Sequence, residues 1–159
     1  MTSKFPFIFR AAMLVAASPL LIAATQSNAA QQEALEQANL KKAIYCMEVI
    51  EVKLDVDTFG EECVAEGYIQ HSQHVPDGKG GLLDYFSARI ERQPKLHGEV
   101  KRAGADGDLV WLHMHVKPEP EARGNAVIHI FRMKDGLFVE HWGVGQRVPE
   151  TSVHDNPMF

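Results

Sequence analysis

The segment from Leu96 to Gly145 constrains the fold of this chain most. Four stretches in it, "LHGEVKRAG", "DLVWLHMHVK", "NAVIHIFRM" and "LFVEHWGVG", are each of strand length and carry apolar side chains at a period close to two. They are separated by "GADGD", "PEPEARG" and "KDG", connections short enough to predict four antiparallel strands in a meander. Before Pro94 the period is helical. Leu35, Ala38, Ala43, Met47 and Ile50 recur at three- and four-residue steps, which predicts an amphipathic helix over 31–54. Asp57 can cap a second helix that runs to about Glu66 and stops at Gly67. "GYIQHSQHVPDGKGG" reads as a loop, and a third helix is expected from Leu82 to Arg92, ended by Pro94. Helices first and then a run of strands predict an α+β domain in which about three N-terminal helices pack on a curved antiparallel sheet.

The first 29 residues do not belong to that domain. Lys4 and Arg10 form a positive region, Ala11 to Ala24 is apolar around Pro19, and small residues close the segment at Ser27 and Ala29. This is the pattern of a secretory signal peptide cut after Ala29, and its apolar run falls short of the roughly twenty residues that span a bilayer. Residues 30–159 are then a single exported domain, periplasmic or secreted, with no membrane attachment after the signal is removed. Of 16 Lys+Arg and 21 Asp+Glu the signal takes two bases and no acid, leaving a net −7. Such a domain has no basic stripe for nucleic acid. Its two cysteines, Cys46 and Cys63, are expected to form a disulfide in an oxidising compartment.

Turn chemistry sets the register of the last two strands. Lys134-Asp135-Gly136 suits a three-residue hairpin loop, which pairs Met133 with Leu137 and puts His129 opposite His141. His129, Phe131, Val139, His141 and Gly143 then share one face. A two-residue loop would place His129 opposite Trp142 and send His141 to the other face.

"YIQHSQHVPDG" at 68–78, "IFRMKDGLFVEHWGVGQRVPE" at 130–150 and the ending "NPMF" resemble the SnoaL-like polyketide-cyclase group of the nuclear transport factor two-like superfamily, which includes ketosteroid isomerase. The resemblance covers essentially the whole domain. It implies a cone-shaped barrel, usually a homodimer, around a pocket for a small apolar or aromatic molecule. It also implies proton transfer beside a carbonyl, as in aldol cyclisation or isomerisation, without a cofactor. In the group "EHW" is usually followed by an aspartate, where this chain has Gly143, and the commonly acidic position on the neighbouring strand is His129. The loop motif histidine-asparagine-proline reads "HSQ".

With the carboxylate missing, His129 and His141 are the candidate base and acid. A neutral imidazole can take a proton alpha to a carbonyl while a second donates to the enolate oxygen. Glu140 would replace the acid only in the alternative register. His71 and His74, in the loop at the pocket mouth, and Tyr85, Trp111, His113, Phe131 and Trp142 are candidate ligand-binding residues. Two other readings stand beside the enzyme. One is a non-catalytic binding protein that has lost the family acid; the other is a metal module, for which His113-x-His115 on one strand face offers part of a three-imidazole set.

Overall fold

The computed structural model describes residues 19–159. Most of the expected signal segment lies outside them, and the expected cut at Ala29 falls within the first helix. The elements are α1 (Pro19–Glu51), α2 (Val56–Cys63), β1 (Val64–Gln70), α3 (Gly78–Arg92), β2 (His97–Asp106), β3 (Leu109–Lys117), β4 (Asn125–Lys134) and β5 (Leu137–Arg147). No described helix is long and apolar enough to cross a membrane.

Helix α1 buries Ala43, Met47 and Ile50 against the sheet, and Leu54 at φ 58° turns the chain out of it. Asp55 rather than Asp57 caps α2, its carboxylate accepting from the Thr58 N–H at 2.9 Å. Cys46 and Cys63, both fully buried, form the expected disulfide between α1 and α2. Replacing both with alanine is expected to cost about 3 kcal/mol on the chain-entropy account, measured by urea denaturation against the oxidised protein. Helix α3 ends at Arg92 as expected but starts four residues before Leu82. Gly81 makes that possible, because a Cβ there would come within 2.7 Å of Pro76.

The four meander strands form where the alternation predicts them, antiparallel in the order β2, β3, β4, β5. The sheet nevertheless has five strands, ordered β1-β5-β4-β3-β2, and is mixed and open rather than a purely antiparallel closed barrel. The extra strand is β1, which runs parallel to β5. Helix α2 therefore does not reach Glu66. Val64 and Tyr68 are buried in the core, and Gly67 lies within the strand rather than capping a helix.

Neither predicted hairpin register holds. Asp135 and Gly136 both have positive φ, 52° and 77°, the signature of a two-residue type I′ turn, and Lys134 pairs with Leu137. Between Met133–Phe138 and Arg132–Glu140 the ladder shifts by one residue, so Val139 is a bulge. The bulge reverses the change of face that the short turn would impose. His129, Phe131, His141 and Gly143 do share the inner face, but His129 stands opposite Gly143 and Phe131 opposite His141. Phe138, fully buried, takes the core place expected for Val139.

Candidate functional site

The concave face of the sheet and the three helices enclose a cavity of about 470 Å³. Met47, Phe59, Leu82, Phe86, Phe131 and Phe138 give it an apolar body, with Phe131 and Phe138 stacked at 3.9 Å. Polar side chains break that body at several points, and an apolar body with convergent polar groups suits a small-molecule site. One wall carries Gln70, His129 and His141; another carries Glu51 and Arg89.

The histidine wall is a directed chain. Gln70 Oε1 accepts from the Ser72 backbone N–H at 2.9 Å, which fixes that atom as the oxygen, and it also lies 2.8 Å from His141 Nδ1. His141 therefore carries its proton on Nδ1 and presents a bare Nε2. That nitrogen is 2.9 Å from His129 Nδ1, so His129 donates from Nδ1 and its own Nε2 is left with the lone pair. His129 Nε2 is shielded from water and has no partner among the described residues. Burial, then the neighbouring His141, then Arg89, lower the His129 pKa to about 3. Burial first, then His71 and His74, lower that of His141 to about 4. Both rings are neutral at physiological pH.

Gly143 is part of this arrangement. It is the cross-strand partner of His129, and a Cβ there would approach the His141 ring to 3.2 Å and Ser72 Oγ to 3.4 Å. Without a side chain at 143, the two imidazoles can meet diagonally across the hairpin. The missing aspartate and the histidine pair thus occupy the same space.

The strand that sequence reading missed supplies the end of the chain. β1 runs beside β5 with Gln70 paired to His141, and the His71 N–H donates to the His141 carbonyl at 3.0 Å. Of the predicted ligand-binding residues, His74, Tyr85 and Phe131 line the cavity with His129 and His141. His71, Trp111, His113 and Trp142 do not, because they project from the opposite face of the sheet or its edge. On β3 the buried side chains are the even-numbered Leu112, Met114 and Val116. Trp111 is 42% exposed, and His113 stacks on Phe159. His71 stacks on Trp142 at 4.9 Å and pairs with Glu140 at 2.9 Å.

Glu140 also meets Arg132 at 2.9 Å, and the His71 and Arg132 contacts hold its carboxyl below the usual range. It takes no part in the cavity. Among the described residues, no three of His, Cys, Asp and Glu converge to hold a metal ion. His113 and His115 lie on the outer face, where His115 Nε2 donates to the Arg123 carbonyl oxygen at 2.7 Å.

Gln70, Glu51 and Arg89 are among the cavity residues that were not anticipated. Glu51 is 1% exposed and bonded to Arg89 Nη1 at 2.9 Å, while its Oε2 has no partner. Burial raises its pKa, against the lowering effect of Arg89. The sequence did carry a signal for both. Glu51 follows Met47 by four residues on the buried stripe of α1, and Arg89 follows Leu82 by seven and Phe86 by three on that of α3.

Three helices on the concave face of a curved sheet, with a cavity between them, match what the sequence motifs implied. The sequence model of the SnoaL-like domain matches residues 50–141. The chain belongs to the SnoaL-like domain family. Solved structures with the same fold include a SnoaL-like protein from Burkholderia thailandensis (TM-score 0.61, 19% identity, 70% of this chain and 98% of that one). TsrD from Streptomyces laurentii is similar over 70% of this chain and 90% of its own, with TM-score 0.58 and 19% identity. A protein assigned as a polyketide cyclase from Bacillus cereus aligns with 63% of this chain and 69% of its own, at TM-score 0.55 and 19% identity. At such identities the likeness concerns the fold. No curated protein sequence matches this SnoaL-like chain.

Proposed function

We propose that this SnoaL-like protein binds a small, largely apolar carbonyl compound in its cavity and moves a proton beside the carbonyl without a cofactor, as in aldol-type cyclisation or isomerisation. The observation that carries the reading is the bare, desolvated Nε2 of His129 at the end of a chain that fixes its tautomer. The C–H bond next to a bound carbonyl would break toward Nε2, its electron pair passing to the carbonyl oxygen as an enolate. His141 cannot serve as the acid: both its ring nitrogens are engaged within the protein. It is a positioning residue, accepting from His129 Nδ1 as the base becomes charged. Gln70 fixes the tautomer but adds no negative charge, unlike a carboxylate in the same place.

Non-catalytic binding is the second reading, supported by the low basicity of His129 and by glycine at the family's aspartate position. Export to the periplasm or medium is supported by the disulfide, and a homodimer by the row of cross-strand partners Trp111, Ile130 and Trp142 on the outer face, exposed at Trp111 and Ile130 and half-buried at Trp142. The test uses 1-tetralone, a bicyclic ketone with exchangeable alpha hydrogens, and its oxygen-free analogue tetralin. Saturable binding with protein-dependent exchange of the tetralone alpha hydrogens in D₂O, followed by proton NMR, is the expected result. Binding without exchange would leave the binding protein; binding of neither compound would sink both readings.

A further inference from the structure

The Glu51–Arg89 pair is not needed to fill the core, since apolar side chains of similar volume usually serve a fold as well as a buried ion pair. Its place is telling: it forms a wall of the cavity that also holds His129. Arg89 is 18% exposed and has five N–H donors. Among the described residues its only side-chain hydrogen bond or ion pair is that from Nη1 to Glu51 Oε1, and its guanidinium carbon lies 5.9 Å from the centre of the Phe86 ring. The remaining donors have no acceptor among the described residues. His129 Nε2, on the same cavity, is an acceptor with no donor. The cavity thus offers a ligand spare donors, beside a histidine whose buried lone pair has no partner among the described residues.

We propose that Arg89, held in place by Glu51, is the carbonyl-binding group of the cavity, donating to the ligand oxygen while His129 Nε2 meets the adjacent hydrogen. The pairing with Glu51 also selects a ligand class. A lone buried guanidinium would draw a carboxylate or another full anion. With its charge balanced by a carboxylate at 2.9 Å, Arg89 instead favours a neutral oxygen that gains negative charge during proton transfer. The ligand is therefore a neutral enolisable ketone, aldehyde or ester rather than an acid. Glu51 acts through Arg89 and is a positioning residue.

This inference rests on the cavity binding a carbonyl compound, and its test separates the two. Wild type and the charge-neutral double variant Glu51→Leu/Arg89→Met are titrated with carbonyl-¹³C 1-tetralone, with tetralin and with 1-naphthoate, and the infrared carbonyl stretch of bound tetralone is recorded. Loss of a hydrogen bond to a charged donor should weaken tetralone binding about tenfold or more and move its carbonyl stretch toward the value in an apolar solvent. Tetralin should bind both proteins within a few-fold, and 1-naphthoate should bind wild type no more tightly than tetralone. Arg89→Lys, which keeps the ion pair, should fall between wild type and the double variant in both readouts and keeps the test decisive if the double variant does not fold. An unchanged carbonyl stretch and affinity in either variant overturns the role of Arg89, while tighter binding of 1-naphthoate overturns the neutral ligand class. If neither tetralone nor tetralin binds wild type, the cavity reading itself falls and takes this one with it.

Discussion

Replacing Arg89 alone with methionine is expected to destabilise the protein by about 3–5 kcal/mol at pH 7, because it strands a buried carboxylate. Glu51 is 1% exposed, and Oε2 already lacks a partner; the Arg89 contact to Oε1 is its one side-chain hydrogen bond among the described residues. The double variant Glu51→Leu/Arg89→Met should recover most of that loss, since it removes both charges and keeps apolar volume. The pH dependence has a definite sign. Burial raises the Glu51 pKa in the folded state, and loss of Arg89 raises it further. Above the unfolded value near 4.5 the unfolded chain has released a proton that the folded variant still holds, so its stability falls as pH rises. The single variant should therefore lie nearest wild type below about pH 4.5 and furthest from it at neutral pH. Urea midpoints of the three proteins at pH 4 and pH 7 measure this. Equal stability of the single and double variants at pH 7 would show that Glu51 is not an ionised, Arg89-dependent group.

What the sequence made legible follows from how local each signal is. The strands β2 to β5 and the end of α3 were readable because alternation, turn residues and Pro94 act within a few positions. β1 was not, because its pairing is with β5, about seventy residues away, and glycine and polar residues around Tyr68 look like a loop until that partner is supplied. The face shared by His129, Phe131 and His141 was foreseen, but for an incomplete reason. A two-residue turn alone would have put His141 outside, and only the bulge at Val139, invisible as a motif, brings it back. The same limit applied to the pocket. The even-numbered residues of β3 point into the core and the odd ones away from it, so Trp111 and His113 became outer-face residues once the sheet was placed. Glu51 and Arg89 were passed over because a charge on an apolar stripe is normally an interruption. Here each makes the other tolerable.

His129→Gln is expected to lower the rate of alpha-hydrogen exchange from bound 1-tetralone by about 10²- to 10⁴-fold, the range for losing a general base, with its affinity changed only a few-fold. Glutamine keeps a polar side chain next to His141 but has no basic nitrogen. A pKa of about 3 would make His129 a weak base if the proton had to rest there beside an empty, desolvated cavity. In the transition state it does not: the enolate forming alongside supplies an opposite charge, and an adjacent opposite charge favours protonated imidazole. The wild-type pH profile distinguishes this base from an ordinary histidine. The neutral ring is the active form, and it persists in the folded protein far below 6.5. Exchange should then stay level from pH 8 to about pH 5 and decline only as pH approaches the folded values of about 4 and 3 for His141 and His129. Folding stability runs the same way, because the unfolded chain takes up protons below pH 6.5 that the folded histidines refuse, so the acid limb must be recorded where circular dichroism still shows the native state. A profile that halves near pH 6.5 would place the base elsewhere than on His129, and full exchange by His129→Gln would remove His129 from the reaction.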